Sequence, residues 1–257
     1  MTLDRRRFLV AATGAIALAV TGCSRPATLL NAEPRRPVAL IYRGPASTPG
    51  AGEAVAELLS TGEHAMDARF VGPAEANNLD AAILSTAALY VQPGGADDLD
   101  AAWEAVAPIA SALRNWIHNG GAYLGCCMGG FLAGRDPGFD LLPGDALEYS
   151  TTPEATVTDN ADTLITVTWR GQPQAVYFQG GPAFMVTAGP DDTILARYSN
   201  GLVAAGVFGF GRGTVGVTGP HPEAPRSWYT DAGLDVPSPL PHAAFTDLVT
   251  ATLARRR

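Results

Sequence analysis

The 257-residue chain is acidic and contains no lysine. Its 25 Asp and Glu residues outnumber the 17 basic residues, all of them arginine, which gives a formal net charge of −8 at pH 7. This charge disfavours nucleic acid and anionic lipid headgroups as partners. The absence of lysine excludes a P-loop, a Schiff-base lysine and a lysine general base, and no sequence pattern indicates a cofactor.

The first 23 residues have the pattern of an export signal. Arg5-Arg6-Arg7-Phe8-Leu9 precedes an apolar stretch, Val10 to Val20, that is too short to span a bilayer. The arginines resemble a twin-arginine signal, and Val20-Thr21-Gly22-Cys23 resembles a lipobox. Residues 1–22 are therefore predicted to be a lipoprotein signal peptide, and Cys23 a lipidated, palmitate-carrying mature N-terminus. An uncleaved N-terminal helix is the alternative interpretation.

Lipidation at Cys23 would anchor the protein to the extracytoplasmic face of the cell membrane. Residues 23–36 include Pro26 and Pro34 and few large apolar side chains, so they are predicted to form a flexible tether. Removing the signal leaves 14 basic and 24 acidic residues, a formal charge of −10. Residues 37–257 have a suitable length and apolar content for one domain.

Short apolar runs alternate with segments of helical spacing in the first half of the domain. This order predicts an α/β fold in which helices cover both faces of a mostly parallel sheet and ligands bind at the carboxyl ends of the strands. Strands are predicted over Val38–Tyr42, Met66–Val71, Ala88–Gln92 and Ala122–Leu124, and helices over Ala51–Leu59 and Asp98–His118.

The second half has short β-type segments separated by Gly, Pro, Asn and Asp. They are predicted to be antiparallel additions to the sheet, followed by a last helix over Pro241–Ala254. These segments are Ala155–Thr158, Thr163–Trp169, Ala175–Phe178, Thr193–Tyr198, Ala204–Phe210 and Thr214–Thr218.

The most informative motif is Gly125-Cys126-Cys127-Met128-Gly129, directly after a predicted strand. Glycines on both sides of Cys127 permit a sharp strand-to-helix turn that presents the nucleophile above the sheet. The N-terminus of a helix stabilises a thiolate and provides N–H groups for an oxyanion. Cys127 is therefore a candidate nucleophile, although a small buried cysteine with no chemical role is the alternative.

A base and a carboxylate follow the last predicted strand, in Gly219-Pro220-His221-Pro222-Glu223. His221 could take the proton of the Cys127 thiol, and Glu223 could orient the imidazole. A surface turn is the alternative interpretation. Gln179-Gly180-Gly181-Pro182 is either a bend or part of the cleft mouth, and Tyr177 is interpreted as a core residue. The remaining histidines have no ligand-like spacing, so no metal site is expected.

These motifs, in this order from Val38 to Glu223, resemble the class I glutamine amidotransferase-like superfamily. They are most similar to the amidotransferase-like domain at the N-terminus of some biotin-protein ligases. The similarity also rests on Tyr42-Arg43-Gly44-Pro45 and Pro93-Gly94-Gly95-Ala96-Asp97. It implies a flavodoxin-like fold without a biotin ligase catalytic domain.

The resemblance implies Cys127 as nucleophile, His221 as base and Glu223 as third member of a triad. It also implies backbone N–H donors near Gly95 and Met128 for an oxyanion. Amidotransferases that use glutamine usually carry Gln four residues after the nucleophile, where this chain has Phe131. Glutamine is therefore not the expected substrate.

Two hypotheses of function follow. The first is a membrane-anchored cysteine hydrolase of amide or peptide-like bonds. The second is a catalytically silent lipoprotein that binds a small ligand or a protein partner in the same cleft. The sequence does not determine the substrate or the oligomeric state.

Overall fold

A computed structural model describes residues 35–95 and 98–254, and the described residues from Arg36 onward form one compact unit. The predicted signal peptide, Cys23 and most of the predicted tether lie outside the described residues, as do Ala96 and Asp97. No helix in the described ranges is long and apolar enough to cross a membrane.

The first half alternates strands and helices, as predicted. Its strands are β1 (Val38–Tyr42), β2 (Asp67–Val71), β3 (Leu89–Gln92) and β4 (Ala122–Cys126). Its helices are α1 (Ala51–Thr61), α2 (Ala81–Leu84), α3 (Leu99–Val106), α4 (Ala110–His118) and α5 (Met128–Leu132).

The second half is mainly β-structure. Its strands are β5 (Gly144–Glu148), β6 (Thr163–Trp169), β7 (Gln172–Phe178), β8 (Pro182–Val186), β9 (Thr193–Arg197), β10 (Val203–Phe210) and β11 (Gly213–Thr218). Two helices, α6 (Arg226–Asp231) and α7 (His242–Ala254), follow the last strand.

One sheet joins these strands in the order β2-β1-β3-β4-β11-β10-β9-β6-β7, while β8 pairs with β10 and β5 pairs with β8. The strands from β2 to β11 in this order run parallel. The remaining pairs are antiparallel. The fold is thus α/β with a parallel core and antiparallel additions in the C-terminal half, as the sequence predicts.

Alternate residues of the central strands enter two hydrophobic clusters, one on each face of the sheet. In β1, Ala39 and Ile41 belong to one cluster, which includes residues of α1 and α7. Leu40 and Tyr42 belong to the other, which includes residues of α3 and α4. Side chains of a strand point alternately to opposite faces, so helices covering both faces bury almost every side chain of these strands.

The structure differs from the predicted elements in several places, and it adds two short helices, α2 and α6, that the sequence did not indicate. The helix predicted over Asp98–His118 is divided into α3 and α4 by a short 3-10 turn around Pro108, which has no N–H for a helical hydrogen bond. Ala155–Thr158 does not form a strand. Strands β5 and β8, which the sequence did not indicate, form a pair beside the sheet.

Candidate active site

The site begins where two neighbouring parallel strands end at the same edge of the sheet. In the pairing of β4 with β11, Cys126 lies opposite Thr218. The next backbone N–H, that of Cys127, still donates to the carbonyl oxygen of Thr218 at 2.9 Å. The loop that follows β11 and carries His221 therefore starts beside the loop that carries Cys127.

Cys127 forms the sharp turn that the sequence predicts between β4 and α5. Its φ of 48° and ψ of −105° are unusual for a residue with a side chain. Its carbonyl oxygen accepts hydrogen bonds from the N–H groups of Gly130 (2.7 Å) and Phe131 (3.0 Å). The buried hydroxyl of Tyr123 donates to the carbonyl oxygen of Gly129 at 2.6 Å. These bonds hold the strained turn at the start of α5.

Glycine is required at position 129 because the turn brings two backbone segments together. A Cβ atom there would collide with the carbonyl oxygen of Gln92, at the end of β3. Gln92 is itself buried, and its amide nitrogen donates to the carbonyl oxygen of Ala46 at 3.0 Å. The turn at Cys127, which we call the elbow, is therefore packed directly against the neighbouring strand β3.

His221 and Glu223 are buried and in direct contact, which rules out the exposed surface turn. His221 Nδ1 lies 2.8 Å from Glu223 Oε1, and the two side chains are 5% and 1% exposed. The backbone N–H of His221 donates to the carbonyl oxygen of Tyr177 at 2.8 Å. The rings of Tyr177 and Trp228 pack edge-on against the imidazole.

The Cys127 side chain lies close enough to the imidazole to contribute to the raised pKa of His221. Its sulfur also contacts the carbonyl oxygen of Gln179, 3.7 Å away. A Cβ atom placed on Gly94 would be 2.5 Å from His221 Cε1 and 3.3 Å from Cys127 Cβ. Gly94 thus leaves the space in which the sulfur and the ring meet.

The pKa of His221 reflects these neighbours. Burial lowers the pKa, but Glu223 and Cys127 outweigh burial and raise it to about 10. The folded-state pKa thus exceeds the ordinary value of 6.5. Protonated His221 therefore stabilises the fold fully below that ordinary value, and this contribution is lost as the pH rises through the folded-state pKa.

The two adjacent cysteines have different environments. Cys126 is fully buried, and burial, with a smaller contribution from the Glu223 carboxylate, raises the pKa of its thiol well above the ordinary value. Oxygen Oε2 of Glu223 is buried without a hydrogen bond of normal geometry to the described residues. Both thiols are free. Cys126 therefore stays protonated behind the carboxylate, and Cys127 is the cysteine that reaches the cleft.

A cavity of about 500 Å³ opens over Cys127, and we call it the Cys127 cavity. Gly95 and Met128 line it, and the N–H of Met128 belongs to the first turn of α5, where helical N–H groups have no intrahelical acceptor. Much of the remaining wall is apolar. These lining residues are Leu99, Phe131, Ala146 and Leu147, with Glu148 and Asn160 beside them.

A second cavity of about 320 Å³ lies on the side of His221, and we call it the His221 cavity. It shares Thr48, Gly95 and Gln179 with the Cys127 cavity. Its other lining residues include Asp162, Tyr177, Trp228 and Asp231. Cys127 and His221 thus lie where two cavities of different composition meet.

The structure brings together most of the residues that the sequence singled out. Cys127, His221 and Glu223 are in contact, and Gly95, Met128, Gln179 and Gly180 line the cleft. Gly181 is placed elsewhere, because it packs against the carbonyl group of Gly219 and is absent from the walls of both cavities.

Sequence analysis missed several lining residues. Glu148 and Leu147 belong to β5, which the sequence did not indicate, and Thr48 precedes α1 in a loop without a motif. Tyr177 is buried as interpreted, but it also lines the His221 cavity. Leu147 and Glu148 could have been identified only by predicting the pairing of β5 with β8, and Thr48 carries no sequence signature of its own.

The described chain has a further cavity away from this site. A cavity of about 590 Å³ lies where β11 begins, near Arg212 and Gly213, at the end of that strand opposite His221. The described residues contain no group of three His, Cys, Asp or Glu side chains that could hold a metal ion.

Comparison with solved structures identifies the fold. A glutamine amidotransferase from Methylobacillus flagellatus matches with a TM-score of 0.51 at 14% identity, over 86% of this chain and 94% of that one. A ThuA-like protein from Bacteroides uniformis also matches, with a TM-score of 0.48 at 13% identity over 85% of this chain and 93% of that one. A β-galactosidase from Bacillus circulans matches with a TM-score of 0.48 at 14% identity, over 86% of this chain and 30% of that one. The chain has the fold of the glutamine amidotransferase-like proteins.

Comparison with family models gives a second finding. Residues 38–154 match the family described as "Biotin-protein ligase, N terminal", which is just under half of the chain. No curated protein matches the sequence. The family match and the fold together support the amidotransferase-like superfamily.

The first prediction concerns the elbow. Gly129→Ala should lower the free energy of unfolding by about 1–3 kcal/mol, because the added methyl group has no room beside Gln92. Urea unfolding followed by circular dichroism measures this loss. Gly189→Ala is the matched control: its methyl group would make ordinary contact with Asp192, 3.4 Å away, and should change stability by less than about 0.5 kcal/mol. Equal effects would contradict the close approach.

The second prediction concerns the imidazole. In Glu223→Gln the pKa of His221 should fall from about 10, because burial lowers it and the carboxylate that opposes burial is gone. Titration of the His221 ring signal by NMR measures this change. Glu148→Gln removes a carboxylate from the Cys127 cavity and should leave the titration unchanged. An unchanged pKa in Glu223→Gln would show that the carboxylate does not act on the ring.

Proposed function

We propose that the protein is a cysteine hydrolase of amide or peptide-like bonds. The observation that carries the proposal is the contact of Cys127 with His221, with Glu223 hydrogen-bonded to the far side of the ring at 2.8 Å. A nucleophile, a base and a group that orients the base are the parts that acyl transfer requires. The superfamily is consistent with this chemistry.

In the proposed reaction the Cys127 thiolate attacks the carbonyl carbon of the substrate. The C–N bond then breaks, and protonated His221 gives its proton to the leaving amine nitrogen, which leaves a thioester on Cys127. Water attacks this thioester while His221 accepts its proton, and a carboxylic acid is released as the Cys127 thiolate and protonated His221 are restored. Glu223 holds Nδ1 of the ring, which leaves the other ring nitrogen for proton transfer in the proposed reaction.

Backbone N–H groups are the proposed oxyanion donors. Met128 begins α5 next to the nucleophile, and Gly95 lines the same cavity. The backbone of Gly95 has a φ of 96°, and a Cβ atom there would collide with Thr48, so only glycine fits at this point. Donors fixed by the fold stabilise the developing negative charge without reorganising.

Phe131 supports a substrate other than glutamine. Its side chain lines the Cys127 cavity beside Leu99 and Leu147. An apolar wall at this position favours an acyl group that is itself partly apolar.

Alkylation by iodoacetamide tests the third prediction. Cys127 in the full-length chain should react at neutral pH at least about tenfold faster than a small thiol, because in the proposed mechanism His221 activates it as a nucleophile. The alkylated peptide is identified by mass spectrometry. His221→Ala should remove the acceleration, whereas His64→Ala, which changes a histidine beside Thr250 and outside both cavities, should preserve it.

The opposite result would favour the silent binding protein. If Cys127 reacts no faster than the small thiol and His221→Ala has no effect, the hydrolase is excluded. Incubation with amide substrates gives a second measurement, since a thioester on Cys127 can be trapped with hydroxylamine. Its absence in Cys127→Ser is the control for assignment to this residue.

We also propose that the protein is exported and lipid-anchored through Cys23. The proposal rests on the arginines, the short apolar stretch and the Thr21-Gly22-Cys23 sequence. No described helix competes as a membrane span.

A fourth prediction tests the anchor. Cells expressing the full chain and fed an alkyne analogue of palmitate should label the protein and retain it in the membrane fraction. Cys23→Ala should abolish both, while Cys126→Ala, which changes a fully buried cysteine, should leave both unchanged. Labelling that persists in Cys23→Ala would exclude lipidation at this residue.

A further inference from the structure

The His221 cavity is the side of the cleft from which a leaving group would depart, and this inference rests on the proposed function. In amide hydrolysis the group that donates a proton must face the leaving nitrogen. His221 lines this cavity, whereas Met128, one of the proposed oxyanion donors, lines only the Cys127 cavity. The acyl part of a substrate then lies over Cys127 and the amine part beside His221.

Apart from His221 itself, the charged side chains that line the His221 cavity are acidic. Asp162 and Asp231 are both exposed at its wall, and no arginine belongs to the described residues that line either cavity. Asp162 accepts a hydrogen bond from the hydroxyl of Tyr177 at 2.5 Å, so its position is fixed by the fold. Apart from the protonated His221, a substrate carboxylate placed here would meet only negative charge.

Two aromatic rings complete this wall. Tyr177 and Trp228 pack against each other with their centroids 5.4 Å apart and both line the cavity. Aromatic faces attract ammonium groups, and the attraction is greatest when water is partly excluded. Carboxylates and aromatic rings around one cavity are the combination that recognises organic cations.

We propose that the His221 cavity binds a leaving group that carries a positive charge, an amine-bearing or quaternary ammonium moiety. The imidazole of His221 makes this cavity part of the site. The carboxylates and aromatic rings of the cavity favour a leaving group with a positive charge. Acyl transfer to Cys127 then releases a cationic amine into the His221 cavity. The substrate class is an amide with a partly apolar acyl group and a cationic amine part, a class to which free glutamine does not belong because its amide nitrogen carries no substituent.

The test compares two thiol reagents that share the methanethiosulfonate group and carry head groups of opposite charge, trimethylammonioethyl and sulfonatoethyl methanethiosulfonate. Each forms a disulfide with Cys127 and releases methanesulfinate. The ratio of the cationic to the anionic rate should exceed that of a small thiol by about tenfold at low salt and should fall with ionic strength. Modification is assigned to Cys127 by mass spectrometry of the full-length chain.

Variants locate the origin of the selectivity. Asp162→Asn and Asp231→Asn should each lower the ratio by about threefold, the size expected for an exposed charge pair. Trp228→Leu should lower it as well. Asp191→Asn makes the same change of charge at the distant cavity and should leave the ratio unchanged.

The outcomes separate this inference from the proposed hydrolase. Rapid alkylation by neutral iodoacetamide together with a charge ratio equal to that of the small thiol would overturn the cationic leaving group and preserve the hydrolase. An equal decrease in Asp191→Asn and Asp162→Asn would also overturn it, because net charge alone would explain the selectivity. Slow modification by all three reagents would overturn both proposals.

Discussion

The pairing of β4 with β11 is the constraint on which the site depends. Cys126 and Thr218 are opposite each other in parallel strands, so the segments that follow both strands leave the sheet at one point. The hydrogen bond from the Cys127 N–H to the Thr218 carbonyl extends this pairing by one residue into the turn. Nearly 100 residues of sequence separate Cys127 from His221, and this pairing of strands brings them together.

Sequence patterns predicted the parallel half of the fold and the three residues in contact at the site, because both have local signatures. Apolar runs bounded by glycine and proline mark β1, β3 and β4, and glycines around Cys127 mark the elbow. Strands β5 and β8 lack such marks, since each is stabilised mainly by pairing with the other. The cavity walls that they contribute could not be predicted for the same reason.

The buried charges at the site are costly and depend on one another. Removing His221 and Glu223 from water disfavours their charged forms, and the 2.8 Å hydrogen bond between them compensates for this cost. The strained backbone of Cys127 adds a further cost, of about 1–3 kcal/mol for a residue in a sparsely populated conformation. A fold selected for stability alone would have no need of either feature, and their coincidence at one point favours a chemical role.

The two cavities differ in composition, and this difference sets the orientation that we propose for the substrate. The wall over Cys127 is largely apolar, and the wall beside His221 is aromatic and acidic. A symmetric cleft would accept a substrate in either orientation, whereas in the proposed reaction this one would place the carbonyl carbon near the sulfur and the amine near the proton donor. Because Glu223 and Cys127 raise the pKa of the imidazole against the effect of burial, it retains its proton at neutral pH and could donate it in that direction. In the proposed hydrolase, specificity and proton transfer therefore depend on the same asymmetry.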